Sequence, residues 1–157
     1  LAFGTGTHPT TKLCLSWLEQ IIESGDSVID YGCGSGILAL AAAKLGAKTV
    51  YAIDHDQQAV IATNNNLSLN SINDCDFYIG LNQELHPIAA KVLVANILQN
   101  PLITLAPHFA KMIKSDARVA LAGVLVNQAQ AVIDAYAPYF SLSITAQEEE
   151  WVLLVKS

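Results

Sequence analysis

Three polar residues in this chain stand where apolar runs end, at a spacing that could do chemistry. Asp30 closes "VID" and opens the pattern D-x-G-x-G-x-G, completed by Gly32, Gly34 and Gly36. Asp54 closes "VYAID", 18 residues after Gly36, and Asn96 closes "VLVAN", with Pro101 five residues further on. Alternate glycines after a strand bring bare backbone against a ligand, and polar groups beside them can recognise its amino-acid portion. A carboxylate ending the next strand can accept hydrogen bonds from both hydroxyls of a ribose. A carboxamide such as Asn96, with nearby backbone carbonyls, can accept protons from an amine and aim its lone pair.

More than one ligand meets these demands. Gly34, Gly36 and Ala39 also satisfy G-x-G-x-x-A, a weak dinucleotide signature, and Asp54 suits NAD as well as S-adenosylmethionine (SAM). It disfavours NADP, whose phosphate would meet a like charge. Asn96 turns the reading towards SAM, because hydride chemistry calls for a His or a Tyr–Lys pair and none is evident. An NAD-dependent oxidoreductase stands as the alternative from another enzyme class. A domain that holds SAM but is inactive without its substrate-recognition domain is the third reading. Each residue also has an ordinary use: the glycines as tight turns, Asn96 as a turn or cap, Asp54 as a helix cap that Asp56 could replace.

Such residues need a frame that brings strand ends together. Apolar periodicity alternates between strand-like and helix-like along the chain. Strands are expected at Val28 to Asp30, Val50 to Ile53, Phe77 to Ile79, Val92 to Ala95 and Val119 to Ala122. Helices are expected through Leu13, Trp17, Leu18 and Ile21, capped by Thr10 or Thr11, then over Gly36 to Leu45 and Gln57 to Asn70. Pro101 in a first turn opens another helix to about Ile113, and Gln128 to Ala137 is the last. Leu142 to Thr145 and Trp151 to Val155 have no helix between them, which predicts an antiparallel hairpin. The alternation means right-handed βαβ units and a parallel sheet covered on both faces, with ligands at the carboxyl ends of the strands.

Composition narrows the classes. The 157 residues, 52% hydrophobic and 14% charged, suit one globular domain with a sizeable core. The longest apolar run, Ile37 to Ala43, is far short of the roughly 20 residues a membrane helix needs. A net charge of −6, with eight scattered basic residues, argues against binding nucleic acid and suits a cationic ligand or a basic protein substrate. Cys14, Cys33 and Cys75 make neither a CxxC pair nor a disulfide framework, so a zinc site is not expected and reduced thiols in a cytoplasmic protein are. The opening LAFGTGTHPTT, without an initiator Met, reads as the start of a fragment of a longer protein.

LAFGTGTHPTT, DYGCGSGILA, AIDHD and VANILQNPL together resemble the PrmA family, the methyltransferases of ribosomal protein L-eleven, and the likeness runs from Leu1 through EEEW at Glu148 to Trp151. The glycine loop and Asp54 mark SAM-dependent enzymes broadly, whereas GTGTHPTT and ANILxxPL are more specific. The resemblance implies a Rossmann-like class I methyltransferase, α/β, with a seven-stranded, mostly parallel sheet. It implies methylation of lysine ε-amines and an N-terminal amine, with S-adenosylhomocysteine as the second product. It also implies an N-terminal substrate-recognition domain, absent from this chain, so that residues 1–157 form the catalytic domain. The family's cofactor positions carry over to Thr11, Gly32, Asp54 and Asn96, with Phe3, Gly4 and Gly34 as neighbours of the ligand and Asn96 also catalytic. Thr5, Thr7, Thr10 and Thr11 would lie on a loop leading to a helix N-terminus that faces the cofactor's carboxylate. His8 is a candidate proton acceptor, although a His in a polar loop more often lies at the surface. Cys33 reads as a packing residue. Local departures are His55-Asp56-Gln57 where Pro is common, Lys91 where Asp is usual (calling one ion pair into question), and Ser115-Asp116-Ala117 without the usual glycines.

Overall fold

A computed structural model of the protein describes residues 8–81 and 88–157. Five strands follow the βα alternation: β1 (Ser27–Tyr31), β2 (Thr49–Asp54), β3 (Asp76–Leu81), β4 (Ala90–Asn96) and β5 (Ile113–Leu125). Helices α1 (Pro9–Ile21), α2 (Ile37–Lys44), α3 (Gln57–Leu69), α4 (Gln99–Lys111) and α5 (Ala129–Tyr136) cover them, and β6 (Leu142–Glu148) and β7 (Trp151–Lys156) complete the sheet. The strand order is β3-β2-β1-β4-β5-β7-β6. β1 to β5 pair in parallel, while β7 runs antiparallel to both β5 and β6. This is the doubly wound, mostly parallel seven-stranded sheet expected, hairpin included.

Because side chains alternate along a strand, each core strand divides its residues between two layers. Ile29, Leu93, Val119 and Leu121 pack with Leu102, Phe109, Val132 and Tyr136 from α4 and α5. Val28, Val50, Val92, Val94 and Ala120 pack on the other face with Leu13, Cys14, Trp17 and Leu18 of α1 and Leu38, Ala39 and Ala42 of α2. The small alanines of α2 let that helix lie close to the sheet.

Several boundaries differ from expectation. The cap of α1 is His8, not Thr10 or Thr11: its side chain accepts from the backbone N–H of Thr10, and Pro9 takes the first helical position. Thr10 and Thr11 are consequently drawn into the first turn and fully buried. Helix α4 starts two residues before Pro101, which occupies its third position, where a missing N–H costs nothing. β5 runs to 13 residues because the pairing shifts between Ala90 and Val92, jumping from Ile113 to Arg118 and letting the polar stretch from Lys114 bulge outward. Lys91 has a partner after all, Asp116 at 2.7 Å.

Tyr136 ties α5 to α4. Its hydroxyl, buried among apolar side chains, donates to the carbonyl of Leu102 at 2.7 Å. That burial pushes the phenol well above its ordinary pKa, so it remains a donor. Tyr136→Phe removes one hydrogen bond and should lower stability by about 1 kcal/mol without altering the fold. Urea denaturation with an unchanged slope and a lower midpoint is the expected readout.

Candidate functional site

Asp30, Asp54 and Asn96 share one face of the sheet, because each lies an even number of residues from Val28, Val50 and Val92, which face α1 and α2. The register places them in space. Asp30 pairs with Ala52 on one side and Val94 on the other, so Asp54 and Asn96 stand one pleat further towards the carboxyl ends. They flank β1 from opposite sides, which at the usual strand spacing puts their backbones roughly 9–10 Å apart. Asp30 forms the floor between them. The space above is a cavity of about 850 Å3 walled by the glycine loop, Asp54 to Asp56, and the segment from Asn96 to Pro101. That volume suits a ligand of nucleoside size.

The glycine loop is strapped from three directions. Gly32 and Cys33 donate their N–H groups to the carbonyl of Ile53 at 2.7 and 3.0 Å. Asp54 accepts from the Gly34 N–H with one oxygen and from the Asp56 N–H with the other, both at 3.0 Å. From α3, Thr63 donates to the Gly34 carbonyl at 3.0 Å and Asn66 to the Ser35 carbonyl at 2.6 Å. Since the single hydroxyl proton of Thr63 is thereby used, the Cys33 thiol donates to Thr63 Oγ1 across 3.3 Å. Burial pushes that thiol up to about 12, which fits a packing residue rather than a nucleophile. Asp56, not Asp54, caps α3, accepting from the Gln58 N–H at 2.9 Å. Thr63 and Asn66 carried no signal in the sequence, being polar residues inside a helix whose partners lie 29 and 31 residues away.

Two oxygens in this cavity are buried without a hydrogen-bond partner among the described residues: Asp30 Oδ1 and Asn96 Oδ1. A buried acceptor left unmet costs roughly 1–3 kcal/mol, more for a charged group, so both call for donors from a ligand. Asp30 is the residue that sequence reasoning left as part of a motif rather than of the site. Its other oxygen accepts from the Ala39 N–H at 3.0 Å. Burial chiefly, with some repulsion from Asp54, raises its carboxyl from 3.8 to about 7. Three carboxylates and no Lys or Arg line the cavity among the described residues, so its field favours a cation over a pyrophosphate.

The other expected positions fare differently. Gly32, Gly34, Asp54 and Asn96 all line the cavity. Thr11 is buried in the first turn of α1 and is not among the described lining residues. Phe3, Gly4, Thr5 and Thr7 lie outside the described residues. His8 is engaged in capping, and its ring meets Trp151 edge-on with centroids 5.4 Å apart. A smaller hollow of about 360 Å3, walled by Trp151, Gly123 and Gln128, adjoins the cavity and shares Leu98 and Pro101 with it.

A family model for ribosomal protein L11 methyltransferase (PrmA) matches residues 1–157. The chain belongs to the PrmA family. It is 49% identical over 155 residues to the ribosomal protein L11 methyltransferase of Thiobacillus denitrificans, covering 99% of this chain and 51% of that protein. It is 53% identical over 156 residues to the corresponding Acinetobacter baumannii protein, covering 96% of this chain and 52% of that one. The chain thus spans about half the length of the curated relatives it matches. A crystal structure of ribosomal protein L11 methylase from Lactobacillus delbrueckii subsp. bulgaricus superposes with a TM-score of 0.86 at 32% identity, covering 97% of this chain and 80% of that one. The fold extends more widely: a precorrin-6y C5,15-methyltransferase from Geobacter metallireducens superposes at 0.72 with 13% identity, covering 93% of this chain and 87% of that one. The Rossmann-like methyltransferase architecture of this PrmA-family chain is therefore shared well beyond its own family.

The raised carboxyl of Asp30 has a sign that can be measured. An unfolded Asp ionises near 3.8, whereas the folded one resists ionising until about 7. Stability contributed by the neutral carboxyl is full below the lower value and is lost as pH rises through the upper one. Asp30→Asn, which is neutral at every pH, should therefore match the parent protein near pH 4 and exceed it increasingly towards pH 7.5. Urea midpoints across that range give the comparison; parallel profiles would mean that Asp30 ionises normally.

Proposed function

We propose that residues 1–157 form the catalytic domain of a SAM-dependent protein N-methyltransferase acting on lysine ε-amines and the N-terminal α-amine of ribosomal protein L11. The observation that carries the reading is the pair of unmet buried oxygens, Asp30 Oδ1 and Asn96 Oδ1, facing one cation-favouring cavity. A ligand with an ammonium group supplies the donors Asp30 calls for, and a substrate amine supplies those Asn96 calls for. NAD brings a pyrophosphate into a ring of carboxylates instead. Membership of the PrmA family and the names of its relatives support the substrate.

When bound, SAM supplies a methyl group already activated by its sulfonium. Gly32 and Gly34 would leave room for it along bare backbone, Asp30 would hold its amino end, and Asp54 would accept from its ribose hydroxyls while still pinning the loop. The Thr11, Phe3 and Gly4 assignments rest on the family's motifs. Asn96 and the carbonyls after it would hold the amine in line, and alignment of this kind supplies roughly 7–11 kcal/mol. The amine must be neutral to attack, and lysine starts near 10.4; the apolar side chains of Leu98 and Pro101 beside Asn96 disfavour its charged form, while Asp54 and Asp56, which favour a cation, belong to the opposite side of β1. The acidic balance of the chain suits a basic protein partner and not nucleic acid, and a cytoplasmic location fits a ribosomal substrate. Relatives twice as long would carry substrate recognition in the remaining half.

Calorimetry with SAM, S-adenosylhomocysteine and NAD should show binding of the first two and none of the third. Asp54→Ala removes charge-assisted bonds and should weaken SAM binding at least about tenfold. Tighter binding of NAD than of SAM would falsify the methyltransferase reading. In the full-length protein, Asn96→Ala should lower turnover on purified ribosomal protein L11 more than it weakens SAM, since its contact with the amine strengthens in the transition state. Radiolabelled methyl transfer separates the two; full turnover in the variant would remove Asn96 from the chemistry.

A further inference from the structure

The residue after Asn96 is held between two glycines. A Cβ added to Gly32 would overlap Ile97 Cγ2 and come within 3.8 Å of Ile97 Cβ. A Cβ added to Gly123 would overlap the Ile97 carbonyl oxygen and lie 2.7 Å from its carbonyl carbon and 3.2 Å from its nitrogen. One glycine therefore receives the Ile97 side chain and the other its backbone. Both adopt positive φ, +78° and +87°. Gly32 is where β1 leaves for the cofactor loop, and Gly123 lies where the pairing of β5 with β7 shifts, between Leu121 and Val124.

We propose that Ile97 is a positioning residue, a wedge that fixes the Asn96 carboxamide and the carbonyls after it against the cofactor loop. The inference rests on the methyltransferase reading above. Asn96 Oδ1 has no partner among the described residues, so the side chain is aimed by its own backbone. Beyond Ile97 the chain is extended at Leu98, which is exposed, before α4 begins. Ile97 is thus packed against both glycines where the chain passes from the strand end to Leu98, whose carbonyl accepts the first bond of α4. Its branch at Cβ matters: two heavy atoms there leave χ1 stiff, so the methyl resting on Gly32 and the backbone resting on Gly123 move as one body. Close packing transmits such a displacement rather than absorbing it. A misplacement of about 1 Å at a reacting group can cost on the order of a hundredfold in rate.

Wedging and space-filling make opposite predictions for two substitutions. Val keeps the branch and loses volume; Leu keeps the volume and moves the branch outward. In the full-length protein, Ile97→Val should hold kcat within about threefold, while Ile97→Leu should lower it at least about tenfold, with SAM affinity changed less than about threefold in both. If Ile97→Leu keeps the higher kcat, and kcat merely follows the melting temperature, the wedge is overturned. A binding experiment on this chain needs no turnover. Gly32→Ala should weaken SAM binding, and adding Ile97→Ala should recover at least about threefold, since the clash was with Cγ2 (the remainder reflecting the positive φ). Any affinity or stability lost through Gly123→Ala should gain nothing from Ile97→Ala, because that clash is with backbone. No recovery at Gly32 overturns the contact; absence of SAM binding by the unmodified protein instead overturns the functional reading on which the wedge depends.

Discussion

The position of β1 between β2 and β4 is the constraint on which the rest depends. The chain leaves β1 for α2 and β4 for α4, and those helices lie on opposite faces of the sheet. Two neighbouring parallel strands whose exits diverge must leave a crevice at their carboxyl ends. Everything polar in the site follows from where that crevice falls. Asp30 sits beneath it, Asp54 and Asn96 stand on its two sides, and the glycine loop crosses its mouth. A fold that merely buried apolar surface would have no use for an unmet carboxylate at the centre of its sheet. Here the apolar layers above and below are extensive enough to hold one in place.

Asp54 shows how a residue lining the cavity can also hold the structure around it. Its two oxygens fasten the glycine loop and the start of α3 to the end of β2, so the carboxylate is oriented by backbone N–H groups on both sides. A carboxylate has about four acceptor sites, and these two bonds leave room for others. Asp30 is the counterpart on the floor, with one oxygen held by α2 and the other buried without a partner among the described residues. Each acid is thus anchored through backbone and presents what remains.

Much of this arrangement was legible in the sequence because it obeys local rules. The periodic apolar runs located the seven strands and five α-helices of the described residues, and the absence of a helix between Leu142 and Trp151 was enough to predict the hairpin. Asp54 and Asn96 could be named because each ends an apolar run beside a turn or a proline, whereas Asp30 stands out only as the first residue of the glycine motif. The illegible parts depend on partners distant in sequence. Thr63 and Asn66 look like ordinary polar helix residues until the fold brings the glycine loop beside them. His8 caps α1 because Pro9 fixes the first helical φ, whereas threonines are the commoner caps and drew attention first. Gly123 reads as any glycine near a strand end, and its positive φ and the approach of the Ile97 backbone become visible only in the fold. The length of β5 was hidden by Lys114, Ser115 and Asp116, polar residues that bulge away instead of ending the strand.

The strand order also governs how the chain can be assembled. β7 follows β6 in sequence yet lies inside the sheet, between β5 and β6. As the polypeptide emerges during synthesis, the apolar edge of β5 therefore has no neighbour until the residues up to Lys156 have appeared. An open edge of this kind can recruit strands from other nascent chains. β6 cannot close it alone, because its place is on the far side of β7. The sheet can therefore be completed only once β7, the last strand in sequence, is available to lie between β5 and β6.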